Sequence, residues 1–172
     1  MGMEAPDQPE VPLSPHDRVT AFGNQLVEVH IRLREDLEAL REGVEDFLDG
    51  RGERPRGLRQ HCLAFCSALT RHHEGEDGGA FPVLAQRFPE LRPVIVELER
   101  DHRIVADALR SLTALINGLS ARSDAARVLS EVDTLAALME THFTHEEKRI
   151  VSALNSLDVP DWAASPPRFL SP

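Results

Sequence analysis

Apolar positions recur along most of this chain in steps of three and four. The first run is Leu26, His30, Leu33, Leu37, Leu40, Val44 and Phe47. The second is Leu58, Cys62, Phe65, Leu69, His72 and Glu76. The third is Ile95, Leu98, His102, Val105, Leu109, Leu112, Ile116 and Leu119, and the fourth is Val128, Val132, Leu135, Met139, His142, Glu146 and Ile150. This spacing draws one stripe down an α-helix, so each run predicts an amphipathic helix. No segment alternates with the period of a strand. Ser14-Pro15 predicts a cap and first helical residue. Gly50-Arg51-Gly52 and Pro55 predict the first stop, and Gly78-Gly79 a break in the second helix. Phe81-Pro82 opens a turn-rich connection to Pro93, Gly118 falls in the last turn of the third helix, and Ser123 or Asp124 caps the fourth. Long amphipathic helices joined by short loops predict an all-α, up-down-up-down four-helix bundle, first helix against second and third against fourth. The expected organisation is a disordered arm at 1–13, the bundle at 14–157 and a proline-rich tail at 158–172, with Trp162 positioned to dock on the bundle.

The stripes contain residues that do not belong in an ordinary core. His30 is followed about forty residues later by His72-x-x-x-Glu76, and His102 is followed at a similar distance by His142-x-x-x-Glu146. At ~1.5 Å per residue, the chain rises roughly 28 Å from His30 to the first turn and returns roughly 24 Å to His72. The second pair travels comparable distances, so all four imidazoles reach one level of the bundle. Each glutamate stands one turn beyond its histidine on the same face. Burying six such groups without a cation leaves charges and donors unpaired. Imidazole with carboxylate suits iron, zinc or manganese, and the lack of a thiolate argues against a structural zinc cluster. Other metal motifs fit less well. Paired Glu-x-x-His motifs are missing, because Glu99 and His102 form the single instance and Glu99 falls off the stripe. His-Glu-x-x-His is absent, and Cys66 is far from any histidine base. His16, His61, His73 and His145 lie beside or outside the stripe.

Composition narrows the partners. The 172 residues suit one domain, and a formal charge of −10 with scattered basic residues argues against nucleic acid and anionic membranes. Cys62 and Cys66 are four apart on one helix, a spacing that rarely permits a disulfide, so free thiols and a reducing cytoplasm are expected. There is no signal-peptide pattern, and no apolar run approaches the ~20 residues that span a bilayer. The chain has no tyrosine, which excludes a tyrosyl-radical oxidase.

The stretch from Arg71 through His72, His73 and Glu76 to Phe81-Pro82 resembles the second-helix signature of the hemerythrin-like, or HHE cation-binding, family. Glu140 to Glu147 resembles its fourth-helix signature, and the likeness covers roughly Ser14 to Leu157. The resemblance implies a hemerythrin-like bundle with two non-haem iron ions, for which zinc or manganese could substitute. It implies His30, His72, His102 and His142 as terminal ligands and Glu76 and Glu146 as bridging carboxylates. The oxygen carriers of the family have a further histidine one turn after His102, where this chain has Ala106. One metal therefore lacks a nitrogen donor and takes water or a fifth ligand from elsewhere. The carriers also place a carboxylate at the position of Glu147, but the repeat favours Glu146, leaving Glu147 to face solvent or support a ligand. His73 and Glu74 are expected at the surface, His61 in a separate polar contact, His145 half exposed, and Phe22, Phe65 and Phe143 in the core.

Two function classes follow. In the first, a di-iron protein binds oxygen, nitric oxide or peroxide in sensing, scavenging or detoxification. In the second, a di-iron enzyme consumes peroxide or oxidises a small organic substrate. A structural metal bundle that binds a partner has no obvious surface in its favour. Monomer and dimer both remain open.

Overall fold

Leucine and valine positions of the stripes are the buried positions of four long helices. The computed structural model describes residues 21–51, 55–120 and 125–171. Helix α1 spans Phe22–Leu48, α2 Pro55–Gly75, α3 Phe81–Arg87, α4 Arg92–Asn117, α5 Ala125–Asn155 and α6 Pro160–Ala164. A π-helical turn, Glu76–Ala80, and two short 3-10 turns, Pro89–Leu91 and Arg168–Leu170, complete the regular structure, and no strand occurs among the described residues. The long helices α1, α2, α4 and α5 neighbour one another in that order, and α5 closes the ring against α1. The arm at 1–13, Ser14-Pro15, His16 and the cap at Ser123 or Asp124 lie outside the described residues. No helix among the described residues is long and apolar enough to cross a membrane.

The end of α1 follows from one glycine. Gly50 has φ of +73°, a left-handed conformation that glycine adopts without a side-chain penalty. Its N–H donates to Phe47 O at 3.1 Å, and the helix stops. The expected break at Gly78-Gly79 does not occur. The chain passes through these residues in the π turn and continues as α3, so the connection to α4 is largely helical rather than turn-rich. Each helical glycine costs about 1 kcal/mol relative to alanine. Burying Phe81 and Leu84 returns about 1.5–3 kcal/mol apiece, and both are essentially inaccessible. The extra residue of the π turn keeps Ala80, Phe81 and Leu84 pointing inward.

The core has two apolar clusters. One gathers Leu33, Leu37, Leu40, Leu69, Leu112 and Phe143 with their neighbours, and the other gathers Phe22, Leu26, Phe81, Leu98, Ile150 and Phe169. On α1, α4 and α5 the motif histidine lies near the junction of the two clusters, and on α2 His72 follows Leu69, the last first-cluster residue of that helix. The segment after α5 is part of this packing. Trp162 stands edge-on to Phe22 and to Phe169, at centroid distances of 5.2 and 5.5 Å. Phe169 is fully buried. It reaches the bundle beside Gly75, where a β-carbon would stand 2.7 Å from the Phe169 backbone nitrogen. Glycine is required there for close approach.

Candidate metal centre

The layer between the two clusters is polar and buried. His30, His72, His102, His142, Glu76 and Glu146 are each at most 4% exposed. The structure brings all six together. His30 Nε2 lies 3.0 Å from His72 Nε2, and His102 Nε2 lies 3.1 Å from His142 Nε2. Glu76 spans the two pairs, with Oε1 3.3 Å from His72 Nε2 and Oε2 3.4 Å from His102 Nε2. Glu146 Oε2 lies 3.3 Å from His142 Nε2 and 3.7 Å from His30 Nε2. Each half of the chain thus contributes one carboxylate that faces an imidazole from the other half.

The outer nitrogens explain why the inner ones face each other. His30 Nδ1 donates to Glu147 Oε1 at 2.9 Å, His72 Nδ1 to Phe169 O at 2.8 Å, and His102 Nδ1 to Asp77 Oδ1 at 2.7 Å. With the proton committed at Nδ1, a neutral imidazole presents a bare lone pair at Nε2. His142 is the exception, since its Nδ1 stands 3.6 Å from Asp101 Oδ2 without a hydrogen bond. Arg34 braces the His30 side by donating from Nη1 to Glu147 at 3.0 Å and from Nε to Glu140 at 2.7 Å.

Charge cannot be comfortably distributed in this layer by protein groups alone. Burial, together with the positive charge that His30 would carry, pushes His72 down to about 3. Burial and the adjacent Glu146 charge push the Glu76 carboxyl well above the usual carboxylate range. Burial also raises Glu146, but His142 and the other imidazoles outweigh it and hold that carboxyl low. The same contact with Glu146 outweighs burial at His142 and raises it. All four carboxylate oxygens of Glu76 and Glu146 lack a hydrogen-bond partner. Each unpaired buried polar atom costs roughly 1–3 kcal/mol, more when charged. Converging lone pairs beside unpaired carboxylate oxygens form a donor set that a cation would satisfy. His30, His72 and Glu76 offer one close group of donor atoms, and Glu76, His102 and Glu146 offer another.

Comparison with family models matches residues 22–154 to the hemerythrin HHE cation binding domain. The chain belongs to the hemerythrin HHE family. No curated protein and no solved structure matches it. Membership of this family brings metal binding, typically of iron, and the His/Glu groups of the layer fit that chemistry. The matched span runs from the first residue of α1 almost to the end of α5.

Several residues of this hemerythrin-type centre escaped the sequence reading. His73 is not a surface residue. It is 6% exposed, its Nε2 has no partner, and its ring stacks on His102 at 3.9 Å between centroids. The cause is geometric, because α2 packs between α1 and α4 and its buried face is wide enough at this level to include the residue after His72. Glu74 is exposed, as expected. Glu147 takes the supporting role through His30 and Arg34, and this contact with His30 holds its carboxyl below the usual range. Asp77, Asp101 and the Phe169 carbonyl carried no stripe or motif signal. His61 is half-buried on α2 away from the layer, and His145 points to Glu97 at 3.6 Å. The thiols of Cys62 and Cys66 are free.

Two cavities reach the layer. One of about 160 Å³ is bordered by His73, Asp77, His102 and Ala106. Another of about 360 Å³ is lined by Ile104, Val105, Ala137, Leu138 and Thr141 and ends on Asp101 and His142.

Proposed function

We propose that this hemerythrin HHE protein is a non-haem di-iron protein that binds or processes oxygen, nitric oxide or peroxide in sensing, scavenging or detoxification. His30, His72, His102 and His142 are its terminal ligands, and Glu76 and Glu146 are its bridging carboxylates. Zinc or manganese can occupy the same donors. The observation that carries this reading is the position of Glu76, whose two oxygens face imidazole nitrogens of different pairs. Such a carboxylate suits two ions rather than one. Iron so held supplies one-electron redox chemistry and a Lewis-acid position for a small ligand.

The protein groups do the rest. Glu147, Asp77 and the Phe169 carbonyl hold Nδ1 protons and so keep three Nε2 atoms free to donate. The apolar clusters on both sides of the layer exclude bulk water. The cavity beside Ala106 admits a diatomic molecule or peroxide to the His102 side and is smaller than the ~300–1,000 Å³ typical of drug-sized ligands. A second reading is an oxidase, oxygenase or catalase-like enzyme. The larger, mainly apolar cavity that reaches His142 favours it.

Metal analysis of protein expressed with iron is expected to give two iron ions per chain. Anaerobic reduction followed by oxygen, azide or nitric oxide is expected to give a reversible charge-transfer band. If His102→Ala changes neither metal content nor stability and the parent chain holds fewer than two ions, the reading is wrong. Catalytic peroxide loss that disappears in His72→Ala would move the assignment to the second reading.

A further inference from the structure

The two halves of the chain place their side chains by an internal symmetry. His30 stacks on Phe143 at 3.9 Å and 13°, and His102 stacks on His73 at 3.9 Å and 8°. In both cases the stacking residue immediately follows the second histidine of the opposite half. One position holds a phenyl ring and the other an imidazole. Phe143 shows that packing at this place needs no nitrogen. The nitrogen of His73 is therefore surplus to packing, and its Nε2 is buried without a hydrogen-bond partner.

Its surroundings give that nitrogen a use. His73, His102 and His142 each offer one nitrogen within 4.8 Å of the others. Ala106, one turn after His102, offers only a methyl group, and the cavity of about 160 Å³ separates it from His73. We infer that His73 is a fifth imidazole ligand, supplied by α2 to the metal held by His102 and His142, where position 106 on α4 supplies none. In the parallel stack the two lone pairs cannot converge, so ligation requires the His73 ring to tilt out of the stack. The His30/His72 metal has Phe143 in the equivalent place and no such donor. The two metal positions then differ in nitrogen count, with the additional nitrogen drawn from a different helix than position 106 would use.

This assignment rests on the dimetal reading, and the test separates the two. His73→Phe reproduces the stacking seen at Phe143 while removing the nitrogen. It is expected to keep the helical circular dichroism of the parent and to bind the second metal roughly 10–100-fold more weakly, by titration with zinc or iron(II). Adding Ala106→His to His73→Phe is expected to restore the lost affinity. A crystal structure of the iron-loaded parent chain supplies a readout independent of variant folding, with His73 Nε2 expected at about 2.0–2.3 Å from iron. A parent chain that holds no metal pair overturns the dimetal reading itself. A parent chain with two metals and a His73 Nε2 beyond bonding distance overturns this assignment alone. So does a folded His73→Phe chain that binds both metals with parental affinity.

Discussion

Gly75 and Gly43 both sit in helical backbone, yet alanine should act on them with opposite sign. Gly43 lies inside α1, and a β-carbon there meets only Leu58 Cδ1 at 3.4 Å, an ordinary contact. Replacing it removes the glycine penalty, so Gly43→Ala is expected to stabilise by about 1 kcal/mol. Gly75 has φ −66° and ψ −35°, so alanine fits its backbone equally well and the same gain of about 1 kcal/mol applies. Its β-carbon, however, would stand 2.7 Å from the Phe169 nitrogen and 3.1 Å from Arg168 Cβ. A backbone atom must move, and Phe169 moves with it. Exposing that buried ring costs about 2–3 kcal/mol, and losing the hydrogen bond from His72 costs about 1 kcal/mol more. The net loss for Gly75→Ala is about 2–3 kcal/mol, equivalent to a fall in Tm of roughly 4–12 °C for a domain of this size. Gly43→Ala should raise Tm by roughly 2–4 °C. Thermal melts by circular dichroism measure both. A Gly75→Ala chain as stabilised as Gly43→Ala would show that docking of Phe169 contributes nothing.

Acid should withdraw the contribution that His72 makes to the stability of the metal-free chain. His72 is held near 3 in the folded chain against an ordinary value of 6.5. It is neutral when folded and takes up a proton on unfolding below about pH 6.5, so stability is full above that value. It falls by up to about 1.4 kcal/mol per pH unit for this group as pH drops toward 3. The raised Glu76 and His142 titrate in the opposite sense, so metal-free melts of the parent and of His72→Phe at a series of pH values are compared to isolate this group. A Tm difference between the two chains that stays constant from pH 7 to pH 4.5 would contradict it. Glu147→Ala removes the acceptor for His30 Nδ1 but leaves Arg34 its contact with Glu140. Metal affinity should fall roughly 10–100-fold with helicity unchanged; undiminished metal retention in a competition assay with a chelator would rule out that supporting role.

The fold was legible because the stripes of all four long helices keep one period through polar and apolar residues alike. His30, His72, His102 and His142 continue the leucine rows, and their glutamates follow at one helical turn. Sequence spacing could therefore place six side chains in one layer. It failed where the period changes or where a contact comes from off the stripe. The π turn inserts a residue at Glu76–Ala80, so Gly78-Gly79 read as a break and Asp77 carried no sign that it faces His102. His73 lies beside the stripe rather than on it. The clue was available in the repeat itself, since His73 corresponds to Phe143, which was read as core. Nothing in a sequence marks the Phe169 carbonyl, because a backbone acceptor has no residue signature and its partner is ninety-seven positions away.

That contact also ties the centre to the segment after α5. A chain cut after Asn155 would keep every proposed ligand on the helices and the π turn before it, but it would lose the acceptor that fixes His72 Nδ1. The imidazole would then be free to turn. The segment after α5 therefore governs how well a complete donor set is aimed, and not whether the set is present.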